Sequence, residues 1–360
     1  MTAPDASLEV TARHFLPRRG ISPSAVMVFL TGALIIAGVI SMSIGSAGIT
    51  PGRLLAAVFS AGDGTLAARD HLILFSIRLP RVAMASMVGA LLAVAGAIMQ
   101  GLFRNPLADP GLVGVSAGAG LAAAAMIVFG DRTLPSSVMG WPFLLPAAAF
   151  FGALTTTAAL YRIATWQGRT SIAIMLLAGL ALGALAGAGT GLLVFLADDR
   201  QLRDITFWML GSIAGATWPK IFAIAPILAT LSLSTFFVGR GLDLLVLGES
   251  EAFHMGIAVE RLKQFLIVLV AAAAGAAVAV SGVVGFVGIV VPHLLRLVIG
   301  PSHALLLPAS AFCGALLMLL ADTIARTIAA PAELPIGIVT AIIGGPFFLF
   351  LLLKQRSPLA

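Results

Sequence analysis

The spacing of charges constrains this chain more than any other feature. Nine stretches of 19 or more residues contain no Asp, Glu, Lys or Arg: 20–52, 82–103, 110–130, 133–161, 170–197, 221–239, 264–295, 297–321 and 334–353. A soluble fold solvates itself with roughly 25% charged residues. Here the charged share is 10%, the apolar share 60% and the mean hydropathy +1.09. A membrane-crossing helix takes about 20 apolar residues, so the expected class is an all-α integral membrane protein. The stretch 264–295 is too long for one untilted helix, and Ser281-Gly282-Val283-Val284-Gly285 offers a break. Splitting it into 264–281 and 286–298 predicts ten transmembrane helices. They form a single domain, 24–354, between an N-terminal arm, 1–23, and a tail, 355–360.

An even number of spans leaves both termini on one side. Arg13, Arg18 and Arg19 in the arm, with Lys354 and Arg356 in the tail, put that side in the cytoplasm by the positive-inside rule. The first apolar run, about 24–46, is longer than the core of a signal peptide and is followed by more spans, so it is expected to stay as a span. A periplasmic segment, 47–80, then carries Arg53, Arg69 and Arg78, and with Arg81 it weakens the charge bias. Residues 198–219, mixing five charges with Trp208 and Trp218, read as a periplasmic interfacial helix. Residues 239–263 read as the longest cytoplasmic loop, Gly-punctuated and amphipathic, with helices lying on the membrane surface.

Several function classes drop out. Lysines occur only at 220, 263 and 354, so there is no Gly-x-x-x-x-Gly-Lys phosphate loop, and ATP-driven work needs a partner. No basic cluster is longer than Arg18-Arg19, which argues against nucleic acid. The five histidines lack metal-ligand spacing, and Cys313 stands alone in an apolar run. No catalytic or metal residue is therefore assigned, and no cofactor is expected on this chain. Gly114-Val115-Ser116-Ala117-Gly118 matches a hydrolase elbow, with His293 as a conceivable base, but its flanks are helical where the elbow needs a strand before it. Close helix packing explains it better. His71 and His293 are minority candidates for a substrate pathway. Asp322 could relay protons, but Arg326 one turn on makes a local ion pair the simpler reading. Repetition between a block opening at Arg78-Leu-Pro-Arg81 and one opening at Arg261-Leu-Lys263 is no more than a hint.

The most informative segment is Arg104-Asn105-Pro106-Leu107-Ala108-Asp109-Pro110-Gly111, two prolines and a glycine between two membrane helices. Irregular backbone at membrane depth is tolerated only where it is buried or lines a cavity, as in a gate.

Arg78-Leu-Pro-Arg81, Ala95-Gly-Ala-Ile-Met-Gln100, Asn105 to Ser116, Leu247-Gly248-Glu249, Gly285-Phe-Val-Gly288 with Val291-Pro-His-Leu-Leu-Arg296, and Glu333-Leu-Pro-Ile-Gly337 with Gly344-Gly-Pro-Phe-Phe348 run in order from about residue 50 to 354. Together they resemble the FecCD-type permease family of ABC importers for iron-siderophores, haem and cobalamin. The resemblance implies a type II importer fold in the bacterial inner membrane. It further implies a homodimer with two copies of a cytoplasmic ATPase, where ATP and Mg are bound, and one periplasmic substrate-binding protein. Arg78, Arg81 and Arg326 match arginines that receive glutamates of that binding protein, headgroup anchoring being the alternative. Asn105, Pro106 and Leu107 match a cytoplasmic gate, whose other positions fall at Ile172 and Ala173. These are apolar where the cobalamin branch has small hydroxyl residues, a mild argument against cobalamin. Leu247, Gly248, Glu249, Ala252 and Gly256 match the helices that couple to the ATPase. Ala186-Gly-Ala-Gly-Thr-Gly191 with Ala197 to Ser212 looks most like the haem-importing branch. Haem is thus the expected transported ligand, with a ferric siderophore or cobalamin as alternatives.

Overall fold

A computed structural model describes residues 22–44, 71–135 and 141–356. Most of the N-terminal arm, the last residues of the expected first span, residues 47–70 of the expected periplasmic segment and the end of the tail lie outside the described residues. Ten apolar helices occur among the described residues: seven are long and apolar enough to cross a membrane and three are shorter. The described residues begin with α1 (Pro23–Ser43), started by the Ser22 hydroxyl accepting from Ala25 N–H and by proline in the first turn. A π-helical turn, Ile73–Arg78, leads into α2 (Leu79–Leu102). After a 3-10 turn (Pro110–Val113) come α3 (Val115–Thr133) and α4 (Leu144–Ala164). A two-residue antiparallel ribbon, β1 (Thr165–Trp166) with β2 (Arg169–Thr170), precedes α5 (Ile172–Leu196). Next are α6 (Asp199–Leu210), α7 (Trp218–Leu247), α8 (Glu249–His254) and α9 (Val259–Ser281). The chain closes with α10 (Val287–Ile299), α11 (His303–Ile328) and α12 (Ile336–Arg356).

The expected break in 264–295 is there: Gly282 and Phe286 both take left-handed backbone between α9 and α10. Two other expectations need correction. Residues 239–263 are not one loop, because α7 runs unbroken to Leu247 and α9 starts at Val259, leaving only α8 and short turns between them. A charge such as Arg240 marks where hydrocarbon ends, whereas a helix stops only when its backbone bonding does. Likewise the interfacial helix covers only Asp199–Leu210, started by a reciprocal capping box of Asp198 and Gln201, and Trp218 belongs to α7.

The core is organised around α2. Every residue from Val88 to Phe103 is buried, and α2 packs on α11, α9, α7, α10 and α1. Small residues permit this. A Cβ on Gly89 would lie 2.1 Å from the Gly314 carbonyl oxygen of α11, and one on Gly96 would lie 2.1 Å from that of Gly288 on α10. Gly118, in the elbow-like motif, meets Gly152 of α4 in the same way, so that motif is a helix-packing surface.

Candidate functional site

At the end of the bundle assigned to the outer face, three helix ends and the approach to α12 converge. Arg81 on α2 grips Asp322 on α11 through Nε (3.1 and 3.0 Å) and Nη2 (2.9 Å), and its Nη1 reaches Glu333 at 2.8 Å. Arg326 donates to the carbonyl and hydroxyl of Ser41 on α1, with its Nε 3.8 Å from Asp322. Arg78 donates to the carbonyls of Met42 and Ser43. The expected Asp322–Arg326 contact therefore exists, but it is the looser one. The principal partner of Asp322 is Arg81, 241 residues earlier, which no local spacing announces. The three arginines come together, yet their guanidiniums face protein: Arg78 is 4% exposed, and the side chains of Arg81 and Arg326 are 11% and 9% exposed.

The other end of α2, 24 residues long and so about 36 Å away, carries the segment expected to form the gate. Arg104 leaves the helix in left-handed backbone, φ 49°. Asn105 N–H donates to the Gln100 carbonyl at 3.1 Å, while Asn105 Oδ1 accepts from Leu107 N–H at 2.9 Å. The Asp109 carboxylate accepts from Gly111 N–H at 2.7 Å and caps the 3-10 turn. Asp109 keeps part of its side-chain surface open, yet protein surrounds the carboxylate, and burial pushes its pKa above the ordinary range. Side chain and backbone thus hold this segment in one irregular shape, with Asn105 and Pro106 exposed and Leu107 half-buried. Gln100 is itself fixed, donating to the Gly288 carbonyl at 3.0 Å and accepting from Arg296. A cavity of about 560 Å³ opens beside it, lined by Arg104, Asn105, Asp243, Arg296 and His303 among others. His303 Nδ1 lies 2.6 Å from Asp243 Oδ1. Ile172 and Ala173 sit apart from Asn105 in sequence and element, on the first turn of α5, which Ser171 caps. The 3-10 turn after Asp109 packs on α5, the helix that carries Ile172 and Ala173.

Beside Arg104 lies α8, whose Glu249 approaches it. Gly248 has φ 140°, a backbone conformation that residues with a side chain rarely adopt, so glycine suits this turn. Ala252 is buried, and Gly256, φ 85°, ends the helix. Leu247, Phe253 and Met255 are largely exposed, an apolar face unlike the polar surface expected beside water. Glu249 lies 2.7 Å from Lys263 Nζ and 3.8 Å from Arg104. Reasoning from sequence missed Lys263; its signal was a lone lysine three residues from Glu260 at the edge of an apolar run. Among the described residues no group of three or more His, Cys, Asp or Glu could hold a metal ion.

Comparison with known proteins fits this arrangement. The model of the FecCD transport family matches residues 33–354. The chain is 44% identical over 285 residues to the hemin transport system permease protein of Yersinia pestis, covering 79% of this chain and 84% of that one. It is 43% identical to a cobalamin import system permease of Halobacterium salinarum over 78% of this chain and 73% of the other. It is 37% identical to the iron(3+)-hydroxamate import permease of Bacillus subtilis over 93% of this chain and 98% of that protein. Among solved structures, a metal-chelate type ABC transporter in an inward-facing conformation superposes with a TM-score of 0.78 at 33% identity, covering 92% of this chain and all of that one.

Proposed function

The chain belongs to the FecCD transport family of ABC importer permeases, and on that premise we propose that it carries haem across the bacterial inner membrane. The observation that supports haem is the 44% identity to a hemin permease across most of both chains. A ferric siderophore is the second reading, favoured by the hydroxamate permease whose match covers 93% of this chain. As a multi-pass permease the chain works with an ATPase and a substrate-binding protein. We take the complex to be a homodimer with two ATPases and one binding protein, ATP and Mg being bound by the ATPase.

In this reading α8 with Leu247, Gly248, Glu249, Ala252 and Gly256 meets the ATPase, its exposed Leu247, Phe253 and Met255 supplying apolar contact. Asn105, Pro106 and Leu107, with Ile172 and Ala173, close the path on the cytoplasmic side. Docking of the binding protein uses Arg81 most directly: its partner Glu333 is 43% exposed, so an incoming carboxylate can take the place of Glu333 while Asp322 holds the guanidinium still. Arg78 and Arg326 keep Arg81 in register from the α1 side. The test is reconstitution with the cognate ATPase and binding protein, followed by ATP-driven uptake of haem, a ferric hydroxamate and cobalamin in parallel. Uptake of the hydroxamate or cobalamin but not haem overturns the haem assignment.

A further inference from the structure

Lys263 is on the second turn of α9 and only 1% exposed. An ammonium has three donors and no acceptor, and a buried one has lost its hydration, so each donor needs a protein partner. Three acceptors surround Nζ: Glu249 Oε2 at 2.7 Å, Glu260 Oε1 at 3.2 Å and the Thr170 carbonyl at 3.2 Å. They come from three elements, α8, α9 and β2. Glu260 also accepts from Thr170 N–H at 3.0 Å through its other oxygen, so the end of β2 is held at both its donor and its acceptor. The next residue, Ser171, caps α5, and Ile172 and Ala173 follow.

We propose that Lys263 is a positioning residue for energy coupling, delivering displacement of α8 to β2 and hence to the first turn of α5. The relative strength of the contacts carries this. The other link from Glu249, to Arg104, is 3.8 Å long between side chains 41% and 39% exposed, the kind of pair that contributes little. Lys263 is desolvated, and parting it from Glu249 leaves a buried donor without its nearest acceptor. The cluster therefore moves as a unit, and the ribbon before α5 follows α8 more tightly than the Asn105 segment does. The proposal rests on reading α8 as the ATPase contact.

The test is Lys263→Met in the complete complex in nanodiscs, with hydrogen exchange followed in residues 165–173 and 249–257, with and without ATP and vanadate. The native complex should show nucleotide-dependent exchange in both segments. In the variant the response at 249–257 should persist and that at 165–173 should vanish, with haem imported per ATP hydrolysed falling by about tenfold. Should Lys263→Met fail to assemble, Lys263→Gln keeps a polar side chain at the buried position while removing the ammonium that ties Glu249 to the Thr170 carbonyl, and the same loss is expected. A retained response at 165–173 in either assembled variant, or none in the native complex, overturns the proposal. Leu247→Ser and Phe253→Ser separate the two readings. If they leave ATPase assembly intact, the contact surface itself is wrong; if they impair it while Lys263→Met transports normally, only the role of Lys263 fails.

Discussion

Asp322→Asn probes the outer cluster with almost no change of shape. Asp322 is 1% exposed, and its oxygens take three hydrogen bonds from Arg81 at 2.9–3.1 Å, with Arg326 beyond. In the variant Glu333 is the carboxylate left to Arg81, and its 43% exposure screens the attraction. Removing one partner of a buried pair costs roughly 3–5 kcal/mol. The amide oxygen still accepts one of the bonds and returns about 1 kcal/mol. The net loss should be about 2–4 kcal/mol, roughly 30- to 700-fold in the unfolding equilibrium at 1.4 kcal/mol per decade. Denaturant unfolding in mixed micelles, followed by the fluorescence of the four tryptophans, measures it. Arg81→Met combined with Asp322→Asn should cost less than the sum of the two single variants, because the second substitution removes a charge already stranded. A cost for Asp322→Asn within about 0.5 kcal/mol, the ordinary range for surface substitutions, together with an additive double variant, would refute a closed, desolvated cluster.

Glu333→Gln should leave stability within about 1 kcal/mol, as for exposed pairs, while strengthening binding-protein association by freeing Arg81; unchanged affinity in a pull-down titration contradicts the docking role. Gly96→Ala drives a Cβ to 2.1 Å from the Gly288 carbonyl oxygen and should cost about 1–3 kcal/mol or more, whereas Gly38→Ala, with nothing within 4 Å, should be neutral or stabilising in the same unfolding assay. The raised pKa of Asp109 means the folded chain keeps that proton to higher pH than the unfolded chain. Its contribution is thus most favourable in acid and declines as pH rises from about 4; Asp109→Asn should flatten that part of the stability profile in thermal unfolding.

The spans were readable because the hydrocarbon layer excludes charge, so gaps between charges map onto helices, even to the break between α9 and α10. What failed was inference from a charge to a helix end: Arg240 is exposed about two turns before α7 ends, and Lys263 lies inside α9 rather than ahead of it. The irregular break between α2 and α3 was legible because its information is local, two prolines and a glycine within a few residues. The outer cluster was legible only in part. Arg78, Arg81 and Arg326 could be named, but that Arg81 would find Asp322 across the fold depends on α2 and α11 meeting at Gly89 and Gly314, a tertiary fact. For the same reason Thr170 gave no sign of its place beside Lys263.

The glycine crossings of α2 bear on kinematics. Where helices meet through interlocking side chains, rotamer exchange lets them roll over one another. Where backbone touches backbone, as at Gly89 with Gly314 and Gly96 with Gly288, there are no rotamers to exchange and no slack to take up. We therefore expect α2, α10 and α11 to serve as the stator of the transport cycle, with travel left to α8, the ribbon and α5. Spin-label pairs spanning α2 and α11 should report one distance in every nucleotide state, and a distance that shifts with nucleotide would show that the stator moves.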